Sequence, residues 1–199
     1  MELGIRRRYV LDVTLNNLYT QHFGVERRLF LEKLAGESIQ HVVMKLLTWL
    51  ITYRPGLEIE VPIGEHYKPD LVRRDDALQV TQWADCGQTS LTKLDAIVSR
   101  HQATEFTITK TTPSELRHYH RRAVARKSSL AGVLYLSFEY PGITPICREI
   151  KKRHRLVATV GEGPDTVYLS IDNVDFEVIL FRLGGWPDMR TNVGELGGD

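Results

Sequence analysis

A chain of 199 residues suffices for one domain with a substantial core, and an apolar share of 42% beside 26% charged residues describes a globular protein. The formal net charge of +1 excludes a globally basic nucleic-acid binder, so any basic surface has to be local. No apolar run approaches the ~20 residues of a membrane helix, and no secretory pattern is visible in the charged start Met1 to Arg8. Cys86 and Cys147 lack C-x-x-C spacing, which predicts reduced thiols in a cytoplasmic protein.

Residues 5–14, which alternate apolar and polar over Tyr9–Thr14, predict a half-buried strand, followed after a broad loop by a second strand over 28–34. Val42, Val43, Leu46, Leu47, Leu50 and Ile51 recur at helical spacing, so a helix is expected over 37–53, stopped by Arg54-Pro55-Gly56. Leu57 to Ile63 alternates cleanly and predicts a strand with one wet face. Lys68-Pro69-Asp70-Leu71-Val72 opens a short strand, because a proline belongs at a strand start. A turn at Arg74-Asp75-Asp76 leads into a mostly apolar strand, Leu78 to Cys86.

Thr89 or Ser90 then caps a helix over 90–101, and Glu105 to Thr109 is the next strand. Further on, the pattern predicts a helix over 113–127, a buried strand over 132–140 and a helix from Thr144 to about Arg153. Three strands follow, at 157–160, 166–171 and 176–183, joined by turns at Gly161–Asp165 and Asp172-Asn173. Residues 1–183 are expected to form one α/β (α+β) domain, with 184–199 as a flexible tail.

The stretch from Lys68 to Lys93 carries the chemistry. Asp70 and Asp85 fall at the ends of two strands that should be neighbours, and two such carboxylates can share a hard cation that prefers oxygen ligands. Lys93, in the first turn of the following helix, can place a metal-bound water or offset charge on a phosphate. Each residue also has an ordinary reading. Asp70 can be a turn aspartate, Asp85 a helix-approach residue, and Lys93 a solvated lysine. Glu37 is either a helix-start carboxylate, favoured by the dipole, or an additional metal-side carboxylate.

Two basic clusters, one with Arg117, Arg121 and Arg122 and one with Lys151 and Lys152, suit contacts to a DNA or RNA phosphate backbone, although a charged helix is usually a solvated face. The spacing Cys147-x5-Arg153 mimics a tyrosine phosphatase loop but lacks the glycines that let backbone N–H groups cup a phosphate.

In order along the chain, several segments resemble the YaeQ family, within the PD-(D/E)XK or restriction-endonuclease-like superfamily. They are Gly36-Glu37 leading into Val43 to Leu50, Lys68-Pro69-Asp70-Leu71, Trp83-Ala84-Asp85-Cys86-Gly87-Gln88, and the C-terminal β segment from Leu156 to Val178. The likeness runs from the first strand to about Leu183. It implies an αβββαβ core with extra N-terminal and C-terminal strands, and a metal-dependent phosphodiesterase using Mg²⁺ or Mn²⁺. Asp70 and Asp85 would be its ligands, with Glu37 and the backbone carbonyl of Cys86 as further ones.

Three departures from the family pattern stand out. Asp85 replaces the usual Glu, Gly87 occupies the place of the usual lysine, and Gln82 lies in a strand that should be buried on both faces. Gly87, with the thin basic content after Lys93, where Asp95 and Ala96 follow, favours a second expectation: a catalytically inactive scaffold of the same fold that binds nucleic acid or a protein.

Overall fold

The structure is a computed structural model that describes residues 6–64, 66–162 and 165–185. Its elements are β1 (Arg7–Asn17), β2 (His22–Lys33), α1 (Ile39–Thr52), β3 (Glu58–Ile59), β4 (Leu71–Arg74), β5 (Val80–Cys86), α2 (Leu91–Arg100) and β6 (Glu105–Lys110). α3 (Pro113–Arg126), β7 (Leu134–Phe138), α4 (Tyr140–Glu149), β8 (Arg153–Val160), β9 (Thr166–Ile171) and β10 (Val174–Leu183) follow. The class is mixed α+β: a large, nearly closed sheet with four helices among the described residues. Its strand order is β2-β1-β8-β9-β10-β7-β6-β5-β4-β3.

β5, β6 and β7 run parallel, and β4 is antiparallel to β5. On the other side β10 is antiparallel to β7 and β9, and β8 runs parallel to β1. The two sheet edges approach each other at a seam that side chains bridge: the Glu32 N–H of β2 donates to Oε2 of Glu60, just past β3, at 3.0 Å.

The sheet curls around α1. That helix buries eleven residues, Val42 to Thr52, because it meets β1, β2, β5, β8 and α4 together. An amphipathic helix would leave a polar face wet; this one is enclosed on nearly every side. The inner core holds Leu46, Leu47, Trp49 and Leu50 against Leu11, Leu15 and Phe138. A second core lies on the outside of β5–β7, where Leu94 and Ile97 of α2 and Leu116 and Ala123 of α3 cover Trp83, Ile108 and Tyr135.

The predicted strand over 57–63 is corrected to two paired residues, Glu58 and Ile59. Glu60 turns the chain out of register at φ +59°, and its N–H donates instead to the Asp70 carbonyl at 2.8 Å. The second strand begins at His22, so a tight turn replaces the broad loop. α4 starts at Tyr140 with Pro141 in its first turn, and Arg153 belongs to β8 rather than to the helix. Gly184 and Gly185 pack against residues 131–133. A Cβ at Gly184 would lie 2.2 Å from the Val133 carbonyl oxygen, and Gly185 N–H donates to the Ala131 carbonyl. The rest of the predicted tail lies outside the described residues, as do Gly163 and Pro164 of the turn at 161–165.

Candidate functional site

β5 ends at Cys86, Gly87 turns the chain at φ +76°, and the Ser90 hydroxyl caps α2 by accepting from the Lys93 N–H at 3.1 Å. This puts Lys93 in the first helical turn, where the helix dipole disfavours a cation. Its partner explains the placement: Nζ lies 2.6 Å from Oδ2 of Asp85. Asp85 is only 2% exposed. Its Oδ1 accepts from the Trp83 indole N–H at 3.2 Å, whereas Oδ2 has the ammonium nearby but off the line of a directed hydrogen bond. Burial pushes the Asp85 carboxyl above the usual range, and the charge of Asp70 pushes the same way, against the pull of Lys93.

Asp70 stands just before β4, beside the end of β5. Its own N–H donates to the Ala84 carbonyl, and its Oδ2 accepts from the Cys86 N–H at 2.7 Å. Burial opposes its charged form, but His41 and that N–H outweigh it and hold the carboxyl below its ordinary value. Asp70, Asp85 and Lys93 are therefore neighbours at one sheet end, with Asp70 ionised most readily.

Glu37 is not in the helix. It precedes the cap residue Ser38, whose hydroxyl accepts from the His41 N–H. Its Oε1 pairs with Nζ of Lys45 at 2.7 Å, and its Oε2 accepts from the Leu34 N–H at 2.7 Å. Cys86 offers its N–H to Asp70, while its buried thiol touches the Thr48 hydroxyl and burial pushes its pKa well up. Among the described residues, no group of three or more His, Cys, Asp or Glu is disposed to hold a metal ion by itself.

Sequence reasoning missed three residues here. His41 places Nε2 3.6 Å from both Glu37 Oε1 and Asp70 Oδ2. Lys45, 1% exposed, reaches Glu37, Glu60 at 2.5 Å and the Glu32 carbonyl at 3.3 Å. Lys110 ends β6, donates to the Gly87 carbonyl at 2.7 Å and lies 4.0 Å from the centre of the Tyr119 ring; burial lowers its pKa. One signal was present for Lys45: it is the one charged Lys, Arg, Asp or Glu residue of the helical stretch Ile39–Thr52 and is flanked by Val42-Val43-Met44 and Leu46-Leu47.

Gly87 also acquires a reason. Besides its positive φ, a Cβ there would come within 3.3 Å of His41 Nδ1. Gly87→Ala is expected to cost about 1–2 kcal/mol from the left-handed backbone alone, read by urea unfolding. Gln82 donates from Nε2 to the Thr52 carbonyl at 3.2 Å, and its buried Oε1 has no protein partner.

The basic residues divide. Arg117, Arg121 and Arg122 are exposed on α3, with Arg117 5.1 Å from the centre of the Phe181 ring. Lys151 and Lys152 are exposed just before β8, on another part of the molecule.

The family model for the YaeQ protein matches residues 9–180. Two solved structures are similar in fold. The YaeQ protein from Xanthomonas axonopodis pv. citri gives a TM-score of 0.76 at 13% identity, covering 89% of this chain and 98% of that one. The YaeQ protein from Pseudomonas syringae gives 0.76 at 18% identity, covering 90% and 97%. No curated protein sequence matches.

Proposed function

From the premise that the chain belongs to the YaeQ family, we propose that it hydrolyses phosphodiester bonds in nucleic acid with the help of Mg²⁺ or Mn²⁺. On this reading α1, β3–β5, α2 and β6 form a restriction-endonuclease-like αβββαβ core. One observation carries the proposal: the buried Asp85 carboxylate meets a lysine ammonium at 2.6 Å, while burial first and the charge of neighbouring Asp70 second push its pKa up. Two carboxylates that repel one another at a sheet end suit a cation of the kind that takes one or two protein carboxylates and completes its shell with water and phosphate. They do not make a dedicated cage, and Glu37, engaged by Lys45, supports the site from behind.

Asp70 and Asp85 would hold the cation, with the Cys86 carbonyl as the remaining candidate. When bound, the metal lowers the pKa of water and offsets charge on the phosphate. The chain's own residues do the rest. His41 and the Cys86 N–H keep Asp70 charged. Lys93, with its side chain 23% exposed, has access both to Asp85 and to an incoming phosphate oxygen or water. The reduced cysteines Cys86 and Cys147 suit work in the cytoplasm. No helix among the described residues is long and apolar enough to cross a membrane.

A second reading has its own observation. Asp85 already has Lys93, and Glu37 already has Lys45, so the charges are met internally. Such a chain would be an inactive scaffold that binds nucleic acid or a protein.

Titration calorimetry with Mn²⁺ at low salt and neutral pH separates the two. The enzyme reading expects binding by the native chain and at least about a tenfold loss in Asp70→Asn, which keeps an oxygen to accept from Cys86. It also expects oligonucleotide cleavage that depends on Mn²⁺. Equal binding in both proteins would remove Asp70 from the site, and no binding with no cleavage would leave the scaffold.

A further inference from the structure

We propose that the open outer face of β2, β1 and β8 is a binding platform for single-stranded nucleic acid. The proposal rests on the reading above for the kind of polymer, but stands on a different surface from the carboxylate pair. The strand registers place Phe30, Val10 and Arg153 in one row across the three strands, and Arg28, Asp12 and Arg155 in the next. Among the described residues no helix covers them: the outward side chains of all three strands are half-buried or exposed, while α3 packs on β6, β7 and β10. Phe30 is 46% exposed, and the Arg8 guanidinium lies 4.4 Å from its ring centre. Val157 and Tyr168 are exposed further along the same face.

The charges favour an anion. Asp12 is paired with Arg28, and Glu32 with Arg6. Beyond those two pairs stand Arg8, Arg153 and Arg155 and, next to the site, Lys68, against one further carboxylate on the face, Glu26 at the far end of β2. The Asp172 carboxylate is occupied by His154 and by the Arg155 N–H. Three shallow depressions, of about 410, 540 and 290 Å³, indent this face. The first two share Asp12 and Arg155. The third runs from Arg8 and Phe30 to Lys68 and Glu60, beside the sheet seam.

Strand direction supplies the link to the site. β1 and β8 begin, and β2 ends, at the rim where β4 begins and β5 ends. A chain lying on Arg155, Arg153 and Phe30 is thereby led over Lys68 towards Asp70.

The interleaving of apolar and basic groups selects the polymer. Arg153 and Arg155, two residues apart on one face of β8, hold phosphates, and an exposed ring stacks an unpaired base whatever its identity. A duplex hides its base faces and has no use for Phe30, Val157 and Tyr168. Asp175 and Glu177, exposed on β10, limit the platform on that side.

The test is fluorescence anisotropy with a labelled oligothymidylate and a labelled hairpin duplex, in chelator so that no cleavage occurs. The native chain is expected to bind oligothymidylate more tightly than the duplex, with affinity falling as salt rises. Arg153→Glu/Arg155→Glu should lose at least about tenfold, and Phe30→Ala about fivefold or more, the loss of one stacked base. Arg121→Glu/Arg122→Glu on α3 should change little. All of these positions are exposed, so folding is checked by an unchanged melting temperature. Absence of oligothymidylate binding, a greater loss in the α3 variant than in the β8 variant, or equal affinity for duplex would each overturn the proposal. The Mn²⁺ titration reports separately on the carboxylate pair, so either reading can fail alone.

Discussion

Lys45→Met is expected to destabilise the fold by about 3–5 kcal/mol, the usual cost of removing one partner from a buried ion pair. In a chain of this length that corresponds to a fall in melting temperature on the order of 10 °C. The ammonium reaches Glu37, Glu60 and the Glu32 carbonyl, and these groups belong to three different parts of the seam. Burial works against its charge, yet the two carboxylates outweigh burial and raise its pKa. The sign follows: the native contribution is fully present below the unfolded lysine value of about 10.4 and is lost as pH rises through the higher folded value.

Methionine fills the same space but leaves two carboxylates facing each other at the seam. The triple variant Lys45→Met/Glu37→Gln/Glu60→Gln should recover most of the loss, since a neutral replacement of a whole buried ionic group is often tolerated. Urea unfolding at neutral pH checks both the single and the triple variant. A single variant as stable as the native chain would mean that the seam closes without the lysine.

Asp85→Asn should do the opposite to stability while removing the proposed cation site. Burial, together with Asp70, raises the native Asp85 carboxyl, so ionising it in the folded state costs free energy. A raised carboxyl contributes stability below its unfolded value of about 3.9 and loses that contribution as pH rises through the folded value. Asparagine has no such loss, and its amide oxygen can still accept from Trp83. Lys93, partly exposed, can turn to solvent. The variant is therefore expected to melt about 2–4 °C higher at neutral pH, the span of about 1 kcal/mol in a chain of this length. That advantage should fade towards about pH 4, and the variant should bind Mn²⁺ at least about tenfold more weakly. A carboxylate kept where it weakens the fold is a mark of function. Calorimetric melting across the pH range decides it, and a variant less stable than the native chain at neutral pH would make Asp85 a structural partner of Lys93.

Periodicity located most elements because the signal is local. The apolar stripe of α1, the Ser90 cap of α2 and Pro113 in the first turn of α3 need only their neighbours in the chain. It failed at 57–63, where alternation was clean but Glu60 leaves the ladder to meet Asp70 and Lys45. It failed at 140–153 as well, because pairing with β1 draws Arg153 into a strand. Gly87 looked like a lost lysine, and the His41 ring standing where a Cβ would need room is a constraint that no local rule contains.

By itself, then, the sequence determined the order and kind of most elements, the family, and the two aspartates and lysine worth examining, since these follow from spacing along the chain. The tertiary structure alone decided that Asp85 is buried against Lys93, that Glu37 is held by Lys45, and that His41 and Lys110 stand beside them. It also decided that basic residues of β1 and β8 share one open face. Burial and charge pairing depend on which strands become neighbours, and closure of a ten-stranded sheet brings together residues far apart in the chain.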